Sequence, residues 1–453
     1  MQSFLKVERI APEKAPAADR LKNFNEIYTI FDTQKAASQA ERCVQCGDVY
    51  CASNGCPLHN YIPYWLKAVA EENLSLAFKL SNENSPFPEI LGRICPQDRL
   101  CEGACTLNLD GFGAISIGAI ETAITTLGFE NKERFAFAAP NGKKAAIIGS
   151  GPASLSCATF LMRHGIAVEI FEKDPKPGGL LMFGIPGFKL DKEVVLRRFD
   201  ILRQAGAKIE LGVEIGKDLE FDDLLGRFDA IFVGVGAREA TKAGIAGEEG
   251  ENVLNAVEFL SGAQKQLFGI AKAADVKDKK VVVIGGGDTA MDCVRTSLRL
   301  GAKSAVCVYR RDERSMPGSK KEFINAKEEG AEFWFNYAPS KITLTNNKAA
   351  GVTFAKTVSD GRGRIAIDSG DTKTFSADLV IMALGFTHQK KAWLTQAGVK
   401  LNEKGAIAAD KNGATDHKKV FAGGDAVRGA ALAVKAAADG KAAAMGIVRA
   451  LIG

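Results

Sequence analysis

The sequence predicts an α/β protein with two Rossmann-type dinucleotide-binding domains, preceded by a helical domain crowded with cysteines. Three observations carry that expectation. A strand, glycine turn, helix and second strand follow one another from Lys144, the same unit recurs from Lys279, and seven of the ten cysteines fall between Cys43 and Cys105.

Composition bounds the rest. At 453 residues the chain is long enough for two to four domains of about 100–200 residues each. Hydrophobic residues at 46% and charged residues at 25% exclude a disordered chain or a coiled-coil rod. The 47 glycines exceed the ~7% of an ordinary globular chain and show no collagen period, so the excess is expected in tight turns and nucleotide-binding loops. A net charge of +5 gives no argument for nucleic acid or an anionic membrane. The opening MQSFLKVERI lacks a signal-peptide core, and no apolar run approaches ~18 residues, so a soluble, cytoplasmic protein is expected.

The clustered cysteines are expected to ligate metal, because their number is odd and no secretory signal points to an oxidising compartment. Cys43-x2-Cys46-x4-Cys51-x4-Cys56-Pro57 and Cys95-Pro96-x4-Cys101-x3-Cys105 resemble ferredoxin-type spacing more than the paired motifs of zinc sites. Seven thiolates are one short of two four-iron cubanes. A carboxylate or amide could supply the eighth ligand; otherwise the second cluster has an open site or is smaller. Cys157, Cys293 and Cys307 lie in apolar patterns and are expected to be buried hydrophobes.

In the first nucleotide unit, Gly149-Ser150-Gly151-Pro152-Ala153-Ser154 follows the strand AAIIG and is close to GxGxxG, with Ser154 in place of the third glycine. Its glycines admit a pyrophosphate to a helix N-terminus, and the second strand ends in Glu172, followed by Lys173, where an acid accepts ribose hydroxyls. The second unit reads Gly285-Gly286-Gly287-Asp288-Thr289-Ala290. Aligning VEIFE with VCVYR sets Arg310, with Arg311 after it, at the position of Glu172, an exchange that favours a 2′-phosphate and hence NADP(H). The alternative is a solvated basic strand end.

Two further segments suggest a flavin in the first unit. Pro175–Leu190 is glycine-rich and apolar, as a loop against an isoalloxazine ring would be, with Gly179, Leu180, Gly184, Ile185 and Pro186 as its candidate contacts. Val420–Gly429 runs from an apolar strand into Gly424 and Asp425. Together they resemble the two-dinucleotide-binding flavoproteins, in which a Gly-Asp pair holds the ribityl and pyrophosphate of FAD and the NADP domain is inserted into the FAD domain.

With CVQCGDVYCASNGCP, RICPQDRLCEGAC, ISIGAIE, GGGDTAMD, VYRRDERSMPGSKKE and FAGGD, the resemblance covers nearly the whole chain. The sequence resembles the small (β) subunits of bacterial NADPH-dependent glutamate synthases, a family itself similar to the N-terminal half of dihydropyrimidine dehydrogenase. The resemblance implies one 4Fe-4S cluster on Cys43, Cys46, Cys51 and Cys105 and a second on Cys56, Cys95 and Cys101. It implies an eighth ligand sixteen residues after Cys105, which is Glu121. The implied domains are 1–140 for the two clusters, 141–262 and 385–453 for FAD, and 263–384 for NADPH. The implied partner is a glutamate synthase large (α) subunit that makes glutamate from glutamine and 2-oxoglutarate, a chemistry for which this chain has no spare domain. Other acceptors on the same scaffold remain open, as in a ferredoxin:NADP oxidoreductase or a pyrimidine-reducing complex. A structural-zinc scaffold or redox sensor would require vestigial nucleotide units. Hydride transfer between stacked rings needs no acid, base or nucleophile, so no catalytic side chain is expected.

Overall fold

The computed structural model describes residues 3–359 and 365–453. Its N-terminal part is helical, with Thr33–Ala40, Ile62–Ala70, Leu74–Asn84, Pro88–Ile94 and Ile117–Glu130 as its main helices. Ile62–Ala70 and Leu74–Asn84 are parted where Glu72 takes φ +57°. Trp65, Phe78, Ile120 and Ile124 form this domain's own core, into which Cys51 and Cys105 are packed.

Beyond it lie two five-stranded parallel sheets. The first joins β1 (Lys144–Ile148), β2 (Ala167–Glu172), β3 (Lys208–Leu211), β4 (Ala230–Val233) and β15 (Val420–Ala422) in the order β15-β4-β1-β2-β3. The second joins β6 (Val253–Asn255), β7 (Lys280–Ile284), β8 (Ser304–Tyr309), β9 (Glu332–Phe335) and β13 (Leu379–Met382) in the order β6-β13-β7-β8-β9. Side chains alternate between faces. Ala145 and Ile147 join one core layer and Ala146 and Ile148 the opposite one, which is why these strands read as continuous apolar runs. The antiparallel β10 (Tyr337–Thr345), β11 (Lys348–Ser359) and β12 (Ile365–Ser376) cover one face of the second sheet through Ile342, Val352 and Phe354.

The chain passes between the sheets twice, and the two passages pair with each other as the short antiparallel strands β5 (Glu239–Ala240) and β14 (Phe386–Thr387). Because β6 pairs with β13, the second sheet already includes Val253–Asn255, and the expected division at 262/263 falls inside the helix Ala256–Leu267. A three-residue strand followed directly by a helix carries too little pattern to mark that entry.

Candidate functional site

The first glycine turn leaves β1 through Gly149, whose φ of +88° and approach to Gly234 exclude a side chain: an added Cβ would lie 2.8 Å from the Gly234 carbonyl oxygen. Gly151 caps the helix Pro152–Arg163, and no atom lies within 4 Å of where its Cβ would be. That open space above a helix N-terminus fits a pyrophosphate, and Pro152 gives up no needed N–H in the first turn. Ser154, where a third glycine was an option, is fully buried beneath Gly234, so it serves packing.

Glu172 ends β2 with its carboxylate buried. Its Oε2 accepts from the Ser150 backbone N–H at 2.9 Å and from the Ser150 hydroxyl, and its Oε1 accepts from Asp174 N–H at 2.9 Å. The acid thus braces the glycine turn while lining the cavity above it. Lys173 beside it is exposed. The glycine-rich segment contains one helical turn, Leu180–Phe183, and Lys192 holds it by donating to the carbonyls of Leu181 at 2.9 Å and Ile185 at 2.5 Å. Burial pulls the Lys192 ammonium down to about 7. Asp425 follows the left-handed Gly424, and burial pushes its carboxyl up to about 7.

The second turn repeats the first. At Gly285 (φ +152°) an added Cβ would collide with the Ala383 carbonyl, Gly286 packs against the Tyr309 ring, and Gly287 caps Asp288–Arg299 with open space where a Cβ would be. The Asp288 carboxylate accepts from Ser319 N–H at 2.8 Å and pairs with Arg99 at 3.3 Å, and Arg99 also donates to the Pro317 carbonyl. Ala290 is buried. Arg310 stands exposed at the end of β8, where Thr357 Oγ1 donates to its carbonyl at 2.7 Å; Arg311 is half-buried.

The cysteines separate into two groups. Burial pushes the Cys51 thiol up to about 12, and Cys105, Cys43 and Cys46 raise it further; the Cys43 thiol, at about 11, feels burial first and then Cys46 and Cys105. Cys56, Cys95, Cys101 and Glu121 instead line one cavity of about 30 Å³. Glu121 is only partly buried as a residue, but its carboxyl is enclosed: burial pushes it up to about 8, against the lowering effect of Asn60 Nδ2, which donates to it at 3.0 Å. The buried Trp65 Nε1–H and Ser85 hydroxyl line the same cavity without a hydrogen-bond partner, the mark of a site shaped for a polar occupant. Among the described residues no three ligand side chains converge as a single metal ion requires, whereas a cubane takes one ligand at each corner. All ten cysteines are free, and Cys157, Cys293 and Cys307 are buried in the cores.

A single cavity of about 1010 Å³ joins these parts. Its walls include Gly149, Gly151, Pro152, Ala153, Glu172 and Lys173 from the first turn and strand, and Gly179, Leu180, Gly184 and Ile185 from the apolar segment. Asp425, the second turn's Gly287, Asp288 and Thr289, and Cys95 complete the expected residues that reach it. Ser154, Pro186, Gly285, Gly286, Ala290, Arg310, Arg311 and Gly424 lie behind or beyond those walls. Sequence reasoning missed Lys189, Asp292 and Arg99, which also face this space, Lys192, which donates to its wall, and Trp65, which lines the smaller cavity. The ion-pair partners of Lys189, Asp292 and Arg99 are distant in sequence.

Fold and site together define an oxidoreductase that binds NADPH and a flavin and carries an iron–sulfur domain. The chain belongs to the family of glutamate synthase [NADPH] small chains. Residues 20–133 match the family described as dihydropyrimidine dehydrogenase domain II, 4Fe-4S cluster, and residues 143–440 match pyridine nucleotide-disulphide oxidoreductases. The chain is 46% identical to the glutamate synthase [NADPH] small chain of Escherichia coli, covering 98% of each, and 39% identical to that of Azospirillum brasilense, covering 99% of this chain and 95% of that one. It is also 44% identical to the Escherichia coli protein bearing the name oxidoreductase AegA, over 96% of this chain and 69% of that one. Among solved structures, FprA from Mycobacterium tuberculosis in complex with NADPH shares the fold over 68% of this chain and 85% of its own, with TM-score 0.56 and 19% identity. No described helix is long and apolar enough to cross a membrane.

Proposed function

We propose that this chain is the NADPH-oxidising subunit of a glutamate synthase, passing electrons through FAD and two 4Fe-4S clusters to a large subunit that makes glutamate from glutamine and 2-oxoglutarate. The observation that carries the reading is the continuity of the large cavity from the second glycine turn, past the first, to Cys95. A flavin held here would supply a two-electron acceptor for the hydride of NADPH and a one-electron donor to iron–sulfur clusters.

The residues of this chain bind and orient. The Gly149–Gly151 turn and the helix behind it would hold the FAD pyrophosphate, with Glu172 and Asp425 near the ribose and ribityl chain. The Gly285–Gly287 turn would hold NADPH, with Arg310 and Arg311 toward the 2′-phosphate. Cys43, Cys46, Cys51 and Cys105 would hold one cluster, and Cys56, Cys95, Cys101 and Glu121 the other. In the first set Cys43 and Cys46 are half-buried, and Tyr50, Tyr64 and Leu109 beside its ligand loops are 42%, 62% and 68% exposed. An exposed apolar rim supports a protein as the electron acceptor.

Iron and sulfide analysis giving about eight of each per chain, bleaching of the flavin by NADPH, and NADPH-dependent glutamate formation on adding a purified large chain test the reading. A second reading, an electron-transfer module for another acceptor, is favoured by the 44% identity to AegA, a longer protein of which this chain covers 69%. NADPH oxidation without any glutamate formation in the presence of the large chain would select it.

A further inference from the structure

The helix Asp288–Arg299, whose N-terminus forms the second glycine turn, is fastened to the rest of the molecule along one stripe. Asp288, Asp292, Arg295 and Arg299 recur at four, three and four residues, the spacing of one helical face. Each touches another part of the fold. Asp288 pairs with Arg99, between Cys95 and Cys101, at 3.3 Å. Asp292 pairs with Lys189 of the glycine-rich segment, whose Nζ donates to its two carboxylate oxygens at 2.9 and 3.3 Å. Arg295 and Arg299 stand 4.2 and 4.0 Å from the ring centre of Phe188, the neighbour of Lys189, and Arg299 also donates to the Asn23 carbonyl at 3.2 Å.

We propose that Lys189 and Asp292 are positioning residues: their ion pair fixes the register of the NADPH helix against the flavin segment and so sets the distance over which hydride passes. The inference rests on the reading that NADPH reduces a flavin in the large cavity. The pair is suited to the task because it bridges the two nucleotide domains inside that cavity, with side chains only 13% and 8% exposed, where screening is weak. Hydride transfer requires reacting atoms about 3–3.5 Å apart, and one helical turn is about 5.4 Å. A slip by a fraction of a turn therefore separates the rings while leaving the glycine turn able to bind the pyrophosphate. The cation–π contacts of Phe188 keep the helix docked; the charge pair, being directional, selects where along its length it docks.

The test uses the whole protein with its cofactors, as Lys189→Met, Asp292→Asn and the charge-exchanged Lys189→Asp/Asp292→Lys. Each single variant is expected to keep its FAD and iron and to bind NADP⁺ within about threefold of the parent. Each is expected to reduce flavin about tenfold more slowly in a stopped-flow trace, and to exchange the amide hydrogens of Asp288–Arg299 faster. The exchanged pair is expected to recover most of the reduction rate. Two isosteric single variants with unaltered reduction rate and unaltered amide exchange would overturn the proposal, as would slowing explained by lost NADP⁺ affinity alone. If the parent itself failed to bleach with NADPH, the functional reading would fall, and the amide exchange of Asp288–Arg299 would still decide whether the pair fixes that helix.

Discussion

Arg198 and Glu89 face each other with no solvent access to either side chain, Arg198 Nε donating to Glu89 Oε1 at 2.6 Å and Nη2 to Oε2 at 2.5 Å. The pair joins the helix Lys192–Gln204, packed on the first sheet, to the helix Pro88–Ile94, which leads directly into Cys95. Asn82 Oδ1 accepts a further bond from Arg198 Nη2 at 3.1 Å, and the guanidinium lies 4.8 Å from the Phe135 ring centre. The helical domain is thus tied to the domain of the first sheet beside the loop that carries Cys95.

Removing one member leaves the other charge buried without its partner, at a cost of about 3–5 kcal/mol. Arg198→Met and Glu89→Met are each expected to lower the free energy of urea unfolding by an amount of that order. The double variant, which leaves no orphaned charge, is expected to recover part of the loss. Equal destabilisation of single and double variants would show that packing, rather than charge, holds the joint.

How much of this was legible in the sequence follows from the range of each interaction. The glycine turns and the cysteine runs are local, because a backbone that must approach a phosphate or present thiolates within a few residues leaves its mark within a few residues. Cys105 is different. By spacing it belongs with Cys95 and Cys101, yet the turn before Thr106–Leu109 carries it to the other group, where Cys46 Sγ lies 3.4 Å from Thr106 Oγ1. Only the family resemblance implied that exchange. The Lys189–Asp292, Arg99–Asp288 and Arg198–Glu89 pairs span more than 100 residues each and have no local signal. The role of Val253–Asn255 is likewise fixed by its neighbour β13, far along the chain.

Nucleotide preference is expected to depend on Arg310. It is exposed one residue beyond β8. The strand registers pair Ile148 with Phe171 and Ile284 with Val308, so Tyr309, not Arg310, stands where Glu172 does, and Arg310 takes the position of Lys173, one residue past the alignment expected from VEIFE and VCVYR. Losing a charge-assisted contact to the 2′-phosphate costs about 1.5–3 kcal/mol, or ~10-fold and more in affinity. Arg310→Ala is expected to raise the KM for NADPH by at least that factor and to leave the KM for NADH nearly unchanged. Equal effects on the two nucleotides would remove Arg310 from the site.

Glu329 gives an acid-sensitive contribution to stability. Its buried carboxylate accepts from Arg295 at 2.8 Å, from Arg299 at 2.6 Å and from Arg20 at 3.3 Å, with Glu322 and Glu328 bonded to the same arginines. These guanidinium groups hold the carboxyl down at about 2 against the opposing effect of burial, from an ordinary 4.5. A depressed carboxylate stabilises fully above its unfolded value and loses that stabilisation as pH falls through the folded one. The whole contribution is about 3 kcal/mol, of which roughly 2 kcal/mol is lost between pH 6 and pH 3. The stability gap between the unmodified chain and Glu329→Gln, read by urea unfolding, is expected to narrow by that amount over the interval. Acid loss of clusters is common to both chains and drops out of the comparison.

Trp65 tests the occupant of the smaller cavity. Its indole N–H is buried, unpartnered and among the walls shared by Cys56, Cys95, Cys101 and Glu121. Hydrogen bonds to cluster sulfurs help set reduction potentials, and a donor favours the more negative, reduced state. Trp65→Phe keeps the ring's bulk and deletes the donor. It is expected to retain iron and flavin and to shift the potential of one cluster downward in a redox titration followed by electron paramagnetic resonance. An unmoved potential would mean that the N–H does not face a cluster.

Glu121 carries the most specific expectation, because a glutamate on the helix Ile117–Glu130 has no reason in composition to be a metal ligand. The seven clustered cysteines divide into four and three, and Glu121 lies in the cavity with the three. The side chain is held by Asn60, and its carboxyl is enclosed with no cationic partner among its hydrogen bonds, an arrangement that costs stability unless a positive centre compensates it. An iron atom is such a centre, and an oxygen ligand, harder than thiolate, would give this cluster a potential different from that of its all-cysteine neighbour. Glu121→Ala is expected to lower iron content or to change the paramagnetic signal of one cluster while FAD content and NADP⁺ affinity stay as in the parent. Glu121→Cys, which restores a thiolate donor at the same position, is expected to regain iron with an altered signal. Full iron, full sulfide and two unchanged signals in Glu121→Ala would exclude Glu121 as a ligand, and the enclosed carboxyl would then be held by Asn60 in its protonated form.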